Sequence, residues 1–141
     1  MLPALAITAG VAALVAPTLS AGPVRSASPL LPLSERDLSA TKQMGCECSF
    51  NRGRATLVQM IGNEFTVRTR AGRQVCRISD RQFSSFSVGT PVTCAAMNFT
   101  LRHTGRTVSH IESDSAVTPS ALTIRRGRTR TVLNGSWGCA C

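Results

Sequence analysis

Two Cys-x-Cys pairs bracket the β-prone part of this 141-residue chain, one in "GCECSF" at residues 45 to 50 and one in "GSWGCAC" at residues 135 to 141. Residues two apart in an extended strand point to the same face. Cys46 and Cys48 therefore share a face, and so do Cys139 and Cys141. If the first and last strands lie antiparallel, Cys46 meets Cys141 and Cys48 meets Cys139. Both pairs then fall in the same class of ladder position, because that class also repeats every two residues. At non-hydrogen-bonded positions the opposed Cα atoms are about 4.5 Å apart, at the short end of the disulfide range. Cys76 and Cys94 remain, and they are expected to join neighbouring strands.

A metal site and a redox site compete with this reading. Zinc sites favour cysteines two to four residues apart on tight turns, which Cys-x-Cys on a flat strand matches poorly. A redox thiolate needs a helix N-terminus or a cationic neighbour to lower its pKa, and neither pair precedes an obvious helix. The cysteines are therefore read as structural, and no metal, cofactor or catalytic residue is assigned.

The first residues bear on the same choice. From Met1 to Val24 there is no charged side chain, and the run is rich in Ala, Leu and Val. Such a run suits a secretory leader or a membrane anchor. Pro3, Gly10, Pro17 and the small residues Ser20 and Ala21 favour a signal peptide over residues 1 to 21, cleaved near Ala21. An uncleaved anchor is the alternative, and only then would the chain be held at a membrane. Export places all six cysteines in an oxidising compartment, where an even number signals a disulfide framework. The expected location is periplasmic or secreted.

Residues 22 to 45 read as an exported spacer. Within it "SERDLSATKQM" can form a short helix, with Ser34 as N-cap and Asp37 at the third helical position. Residues 46 to 141 read as the β-domain. "EFTVRT" alternates Phe65 and Val67 with Glu64, Thr66 and Arg68; "NFTLRH" and "ALTIR" alternate in the same way. Period two over several segments predicts half-buried antiparallel strands. About eight short strands are expected, near residues 46–50, 55–61, 64–69, 74–78, 91–97, 98–103, 106–111 and 121–133, the last divisible at Gly127, with a terminal strand through 137–141. Turn signals separate them, and Asn134-Gly135 is the strongest hairpin signal among these. One short helical turn is expected after Ser79, which forms a capping box with Gln82. The fold class is all-β, a small antiparallel barrel or sandwich stapled by disulfides.

The charge is strongly unbalanced: sixteen Lys and Arg against seven Asp and Glu. Loss of residues 1 to 27 removes only Arg25, which leaves eight net positive charges. Arg68, Arg70, Arg102, Arg125, Arg126, Arg128 and Arg130 lie on or between polar strand faces, where they can attract an anionic polymer or envelope component. A specific nucleic-acid site is not expected. Single-strand binders interleave basic residues with exposed aromatics, whereas Phe65 and Phe99 alternate with core positions and the chain has no Tyr. Trp137 is expected to plug the end of a small barrel.

Two other function classes remain. One is an envelope structural or inhibitor-like module. The other is a hydrolase or metal-dependent enzyme using the His110 loop, "SHIESDS", which places His110 beside Glu112, Asp114 and serines. Three polar residues in one loop rarely converge on an oxyanion hole, so a non-enzymatic binding module is the leading expectation. No feature of the sequence sets the oligomeric state.

Overall fold

The computed structural model describes residues 28–141. The expected signal peptide and the first residues of the spacer lie outside them. The period-two runs form β1 (Glu47–Arg52), β2 (Ala55–Ile61), β3 (Glu64–Thr69), β4 (Gly72–Arg77), β5 (Val92–Cys94), β6 (Met97–His103), β7 (Val108–His110), β8 (Ser115–Arg126) and β9 (Thr129–Ala140). Two short helices accompany them, α1 (Glu35–Ser39) and α2 (Asp80–Ser85). Both open on the capping boxes read from the sequence, Ser34 with Asp37 and Ser79 with Gln82. Each box satisfies two backbone donors that a helix start leaves unpaired.

Every strand pair is antiparallel, and most sheet neighbours are also chain neighbours: β1 to β4 follow in order, as do β5 and β6 and β8 and β9, while β6 pairs β8 past β7 and β9 returns to β1. The short β7 pairs only with the start of β8. The two end strands of the sheet, β4 and β5, are joined by Cys76–Cys94 with a Cα–Cα distance of 5.6 Å. The architecture is therefore a nearly closed up-and-down barrel, not a sandwich. Closure leaves few exposed sheet edges, which are otherwise templates for aggregation.

The inner faces fill the barrel. Phe50, Met60, Phe65, Val67, Met97, Phe99, Leu122 and Ile124 are all buried at alternating strand positions. Phe86 enters from a 3-10 turn that follows α2, and its ring lies 5.6 Å from Phe65 and 5.2 Å from Trp137. Each large side chain taken fully out of water contributes roughly 1.5 to 3 kcal/mol. Trp137 sits inside the barrel, between Phe50 on β1 and Thr118 on β8 in the ladder.

Cys46–Cys141 and Cys48–Cys139 close the β1–β9 seam, with Cα–Cα distances of 4.3 and 4.1 Å. These two bonds join the partners that strand facing pairs, the third joins the two cysteines left over, and no cysteine is free. Three intramolecular disulfides point to an oxidising compartment.

Three sequence expectations are corrected. Asn134-Gly135 is not a hairpin: β9 runs through it, and the residues expected to form separate strands at 121–133 and 137–141 belong to two long strands that turn at Gly127. Gly135 is needed for close approach, since a Cβ there would strike the Asn51 carbonyl oxygen and the Phe50 ring, where β1 carries a bulge. β8 also starts earlier than expected, at Ser115, because its first half buries Thr118 and Ser120, not apolar residues.

The third correction concerns the spacer. Residues 30 to 37 are part of the packed unit. Leu31 donates its backbone N–H to Arg68 O and Leu33 donates to Thr56 O, both at 2.8 Å, so this segment fills the gap where β2 and β3 diverge. Leu30 and Leu33 are buried, and Leu30 joins the main core. The chain then follows the outer face of β2, where Thr41 Oγ1 donates to Gln59 Oε1 at 3.2 Å. Asp37, on α1, accepts two hydrogen bonds of 2.7 Å from the Arg68 guanidinium. That pair clamps α1 to β3.

Candidate anion-binding end of the barrel

Because all neighbours are antiparallel, the turns alternate between the two ends of the barrel. The β1–β2, β3–β4, β5–β6 and β8–β9 turns share one end; the other holds the β2–β3 turn, α2, the β7–β8 connection, and both Cys-x-Cys pairs. This alternation segregates most of the acids, while arginines stand at both ends. At the first end lie Arg52 and Arg54 about the β1–β2 turn, Arg70 in the β3–β4 turn, and Arg125, Arg126, Arg128 and Arg130 about the β8–β9 turn, all exposed. The opposite end collects the acids: Glu47 and Glu64 open β1 and β3, Asp80 opens α2, and Glu112 and Asp114 lie between β7 and β8. Of the seven acids only Glu35 and Asp37 remain, both on α1.

Among the described residues the only ion pair is Arg68–Asp37. The arginines of the first end therefore have no carboxylate to neutralise them. Arg125 even stands directly opposite Arg130 across the last hairpin, with Asn98 on its other side. Like charges directly opposed in a sheet are destabilising.

Strand facing divides this set. Ile124 is buried and points inward, and Arg126, two residues on, shares its face and lies opposite Thr129. Arg125 and Arg130 occupy the outer face. The inner group helps line a cavity of about 650 Å³ at the barrel mouth, walled by Thr69, Arg70 and Ala71 on one side, by Ile124, Arg126, Thr129 and Thr131 on another, and by Ser28, Pro29 and Leu31.

The sequence-derived set is thus brought together only in part. Arg70, Arg125, Arg126, Arg128 and Arg130 converge on one end. Arg68 does not belong with them: its guanidinium is spent on Asp37, and the Asp37 carboxyl is held well below the usual carboxylate range by the Arg68 hydrogen bonds, against the opposing effect of burial. Arg102 is also separated, because β6 carries it to the opposite end, where it lines a second cavity of about 460 Å³ with His103 and Val88. Arg52 and Arg54 were not singled out from sequence. Their Arg-Gly-Arg turn matches Arg126-Gly127-Arg128, and that repeated pattern was the available signal.

The His110 loop has a different structure from a catalytic triad. His110 is exposed and its side chain makes no hydrogen bond to Asp114. Ser113 donates to the His110 carbonyl at 3.5 Å, and Ser113 and Ser115 share a hydrogen bond of 2.8 Å. Asp114 takes a left-handed conformation, and its carbonyl accepts from Cys141 N–H at 3.3 Å. One serine does meet a histidine: Ser120 Oγ lies 3.0 Å from His103 Nδ1. The Thr118 carbonyl lies 2.9 Å from the same hydroxyl and can only accept, so it competes with His103 for the single Ser120 proton. Among the described residues, no three His, Cys, Asp or Glu side chains converge as metal ligands, and no helix is long and apolar enough to cross a membrane.

Comparison of the chain with protein-family models, with curated proteins and with solved structures finds no match in any of the three.

Proposed function

We propose that this chain is an exported, non-enzymatic binding module that takes an anionic polymer of the periplasm or extracellular space on the arginine-bearing end of its barrel. The observation that carries this reading is the sorting of charge by the turns. Arg125, Arg126, Arg128 and Arg130 stand within one hairpin end, joined by Arg52, Arg54 and Arg70, with no acid among them. The opposite end, by contrast, mixes Arg77, Arg81, Arg102 and Arg106 with five acids. Concentrating positive charge at one end raises the local potential and draws polyanions from a distance. The leader-like residues 1 to 21 and the three disulfides support the exported setting.

The test compares two variants of equal charge. Changing Arg125, Arg126, Arg128 and Arg130 together to Gln should weaken binding to heparin and lower the slope of log affinity against log salt by about 3, since each neutralised anion contributes up to about 0.9. Changing Arg77, Arg81, Arg102 and Arg106 to Gln, at the acidic end, should leave the slope nearly intact. Equal losses in the two variants would mean that net charge alone acts. Passage of the unmodified protein through a heparin column at low salt would overturn the proposal outright.

A further inference from the structure

The arginine end has two kinds of surface, and a flexible polymer can use only one of them. Arg125 and Arg130 face outward, Arg128 is exposed in the turn between their strands, and the three suit a chain lying across the end of the barrel. The inward group lines a mouth that leads nowhere: beneath Ile124 and Thr69 the next inward layer holds Leu122 and Val67, both completely buried. The cavity of about 650 Å³ is therefore blind, and its size is that of a small-molecule site.

Its lining is divided by chemistry. Ile124, Leu31, Pro29 and Ala71 supply apolar wall, and Leu31 remains 40% exposed although its neighbour Leu30 is buried. Arg70 and Arg126 reach the same cavity from opposite sides of the barrel, one from the β3–β4 turn and one from the end of β8, and neither has an acidic partner. Threonine hydroxyls at 69, 129 and 131 complete it. Two guanidiniums offer planar forks that match an oxyanion, whereas the apolar wall gives a purely ionic ligand nothing to bury.

We infer that this cavity binds a single-chain amphiphile carrying one phosphate or carboxylate head. Arg70 and Arg126 hold the head at the mouth, and the first part of the tail lies against Ile124 and Leu31. The inference rests on the anion-binding reading of the same end, but the two can fail separately because the cavity and its apolar wall at Ile124 and Leu31 serve the amphiphile alone, and Arg125, Arg128 and Arg130 serve the polymer alone.

Calorimetric titration of the purified protein with dodecyl phosphate and with dodecanoate, each below its micellar concentration, tests it. At least one should bind, and the tighter of the two identifies the head. Inorganic phosphate alone and dodecyltrimethylammonium should bind at least tenfold more weakly. Thr129→Trp, which fills the cavity from an exposed strand position, should cut amphiphile affinity at least tenfold and leave heparin retention unchanged. Arg126→Gln, which keeps the cavity open, should also lower amphiphile affinity, to a smaller degree and with only a fractional loss of heparin retention, so the result does not depend on the bulky variant folding. Conversely, Arg125→Gln with Arg128→Gln and Arg130→Gln should weaken heparin binding alone. The inference is overturned if neither amphiphile binds, if inorganic phosphate binds equally well, if the cationic amphiphile binds equally well, or if cavity variants have no effect. Retained heparin binding in any of those cases leaves the polymer reading standing.

Discussion

Arg125 and Arg130 face each other as a cross-strand pair on the outer surface of the last hairpin, with no carboxylate beside them. Opposed like charges carry a cost in the unliganded protein that a bound anion removes. Arg130→Glu should turn the repulsive pair into an attractive one and raise stability at low salt by about 0.5 to 1 kcal/mol. The gain should shrink as salt is added, and polyanion binding should fall in the same variant. A melting temperature unchanged at low salt would show that the two arginines do not repel.

Asp37 makes stability depend on acid. Its folded pKa lies below the usual aspartate range because the Arg68 guanidinium donates two hydrogen bonds to it. The unfolded chain therefore takes up the proton first as pH falls. The pair contributes its full stabilisation above the ordinary aspartate value of about 3.9 and loses it progressively below that value. Urea midpoints measured at neutral pH and near pH 3 should differ more for the natural protein than for Asp37→Asn. Equal pH dependence in both would remove Asp37 as the source.

Two small residues should respond in opposite directions. Gly135→Ala places a Cβ against the Asn51 carbonyl and the Phe50 ring, neither of which can move freely, and should destabilise by about 3 kcal/mol, the upper end for overpacking. At the β5–β6 turn, Ala95 and Ala96 are both forced to positive φ, 52° and 58°, because Cys94 and Met97 pair directly and leave a two-residue loop. The left-handed conformation costs an alanine about 1 to 2 kcal/mol. Ala96→Gly should therefore stabilise by roughly 0.5 to 1 kcal/mol after its greater unfolded-state freedom is counted. Chemical denaturation of the two variants checks both signs.

The paired staples should be unequal in effect. Cys46–Cys141 and Cys48–Cys139 span 95 and 91 residues of sequence. On chain-entropy grounds, the first such bridge restricts the unfolded chain by about 4 to 5 kcal/mol, and the second adds far less because the extra loop is tiny. Cys48→Ser with Cys139→Ser should be tolerated much better than removal of all four cysteines. Non-reducing peptide mapping should also link residues 46 to 48 to the C-terminal peptide; a bond within either Cys-x-Cys pair would contradict the seam.

What could be read in advance follows from the range of the interactions. Alternation of Phe65 with Val67 and of Phe99 with Leu101, and the capping boxes at Ser34 and Ser79, are local patterns that the fold preserves. Facing also paired the four terminal cysteines, since period two extends along any strand, and left Cys76 and Cys94 for each other. The Asp37–Arg68 pair was hidden because its members are 31 residues apart and in different elements. Leu30 and Leu33 are flanked by Pro29 and Pro32 and fit neither period, so their burial depends on the gap between β2 and β3. Asn134-Gly135 misled because glycine answers two needs, positive φ and close approach, and sequence does not distinguish them. The cavity was invisible for a similar reason: Arg70 and Arg126 meet only when the barrel closes.

The double seam between β1 and β9 makes the covalent skeleton a ring. A single protease cut anywhere between Cys48 and Cys139, for instance in the exposed turns at Gly53 or Gly127, leaves both fragments bonded to each other through the terminal cysteines. The severed strands keep their ladder neighbours on either side, so the barrel can survive as a nicked species that migrates as one chain until a reductant separates it.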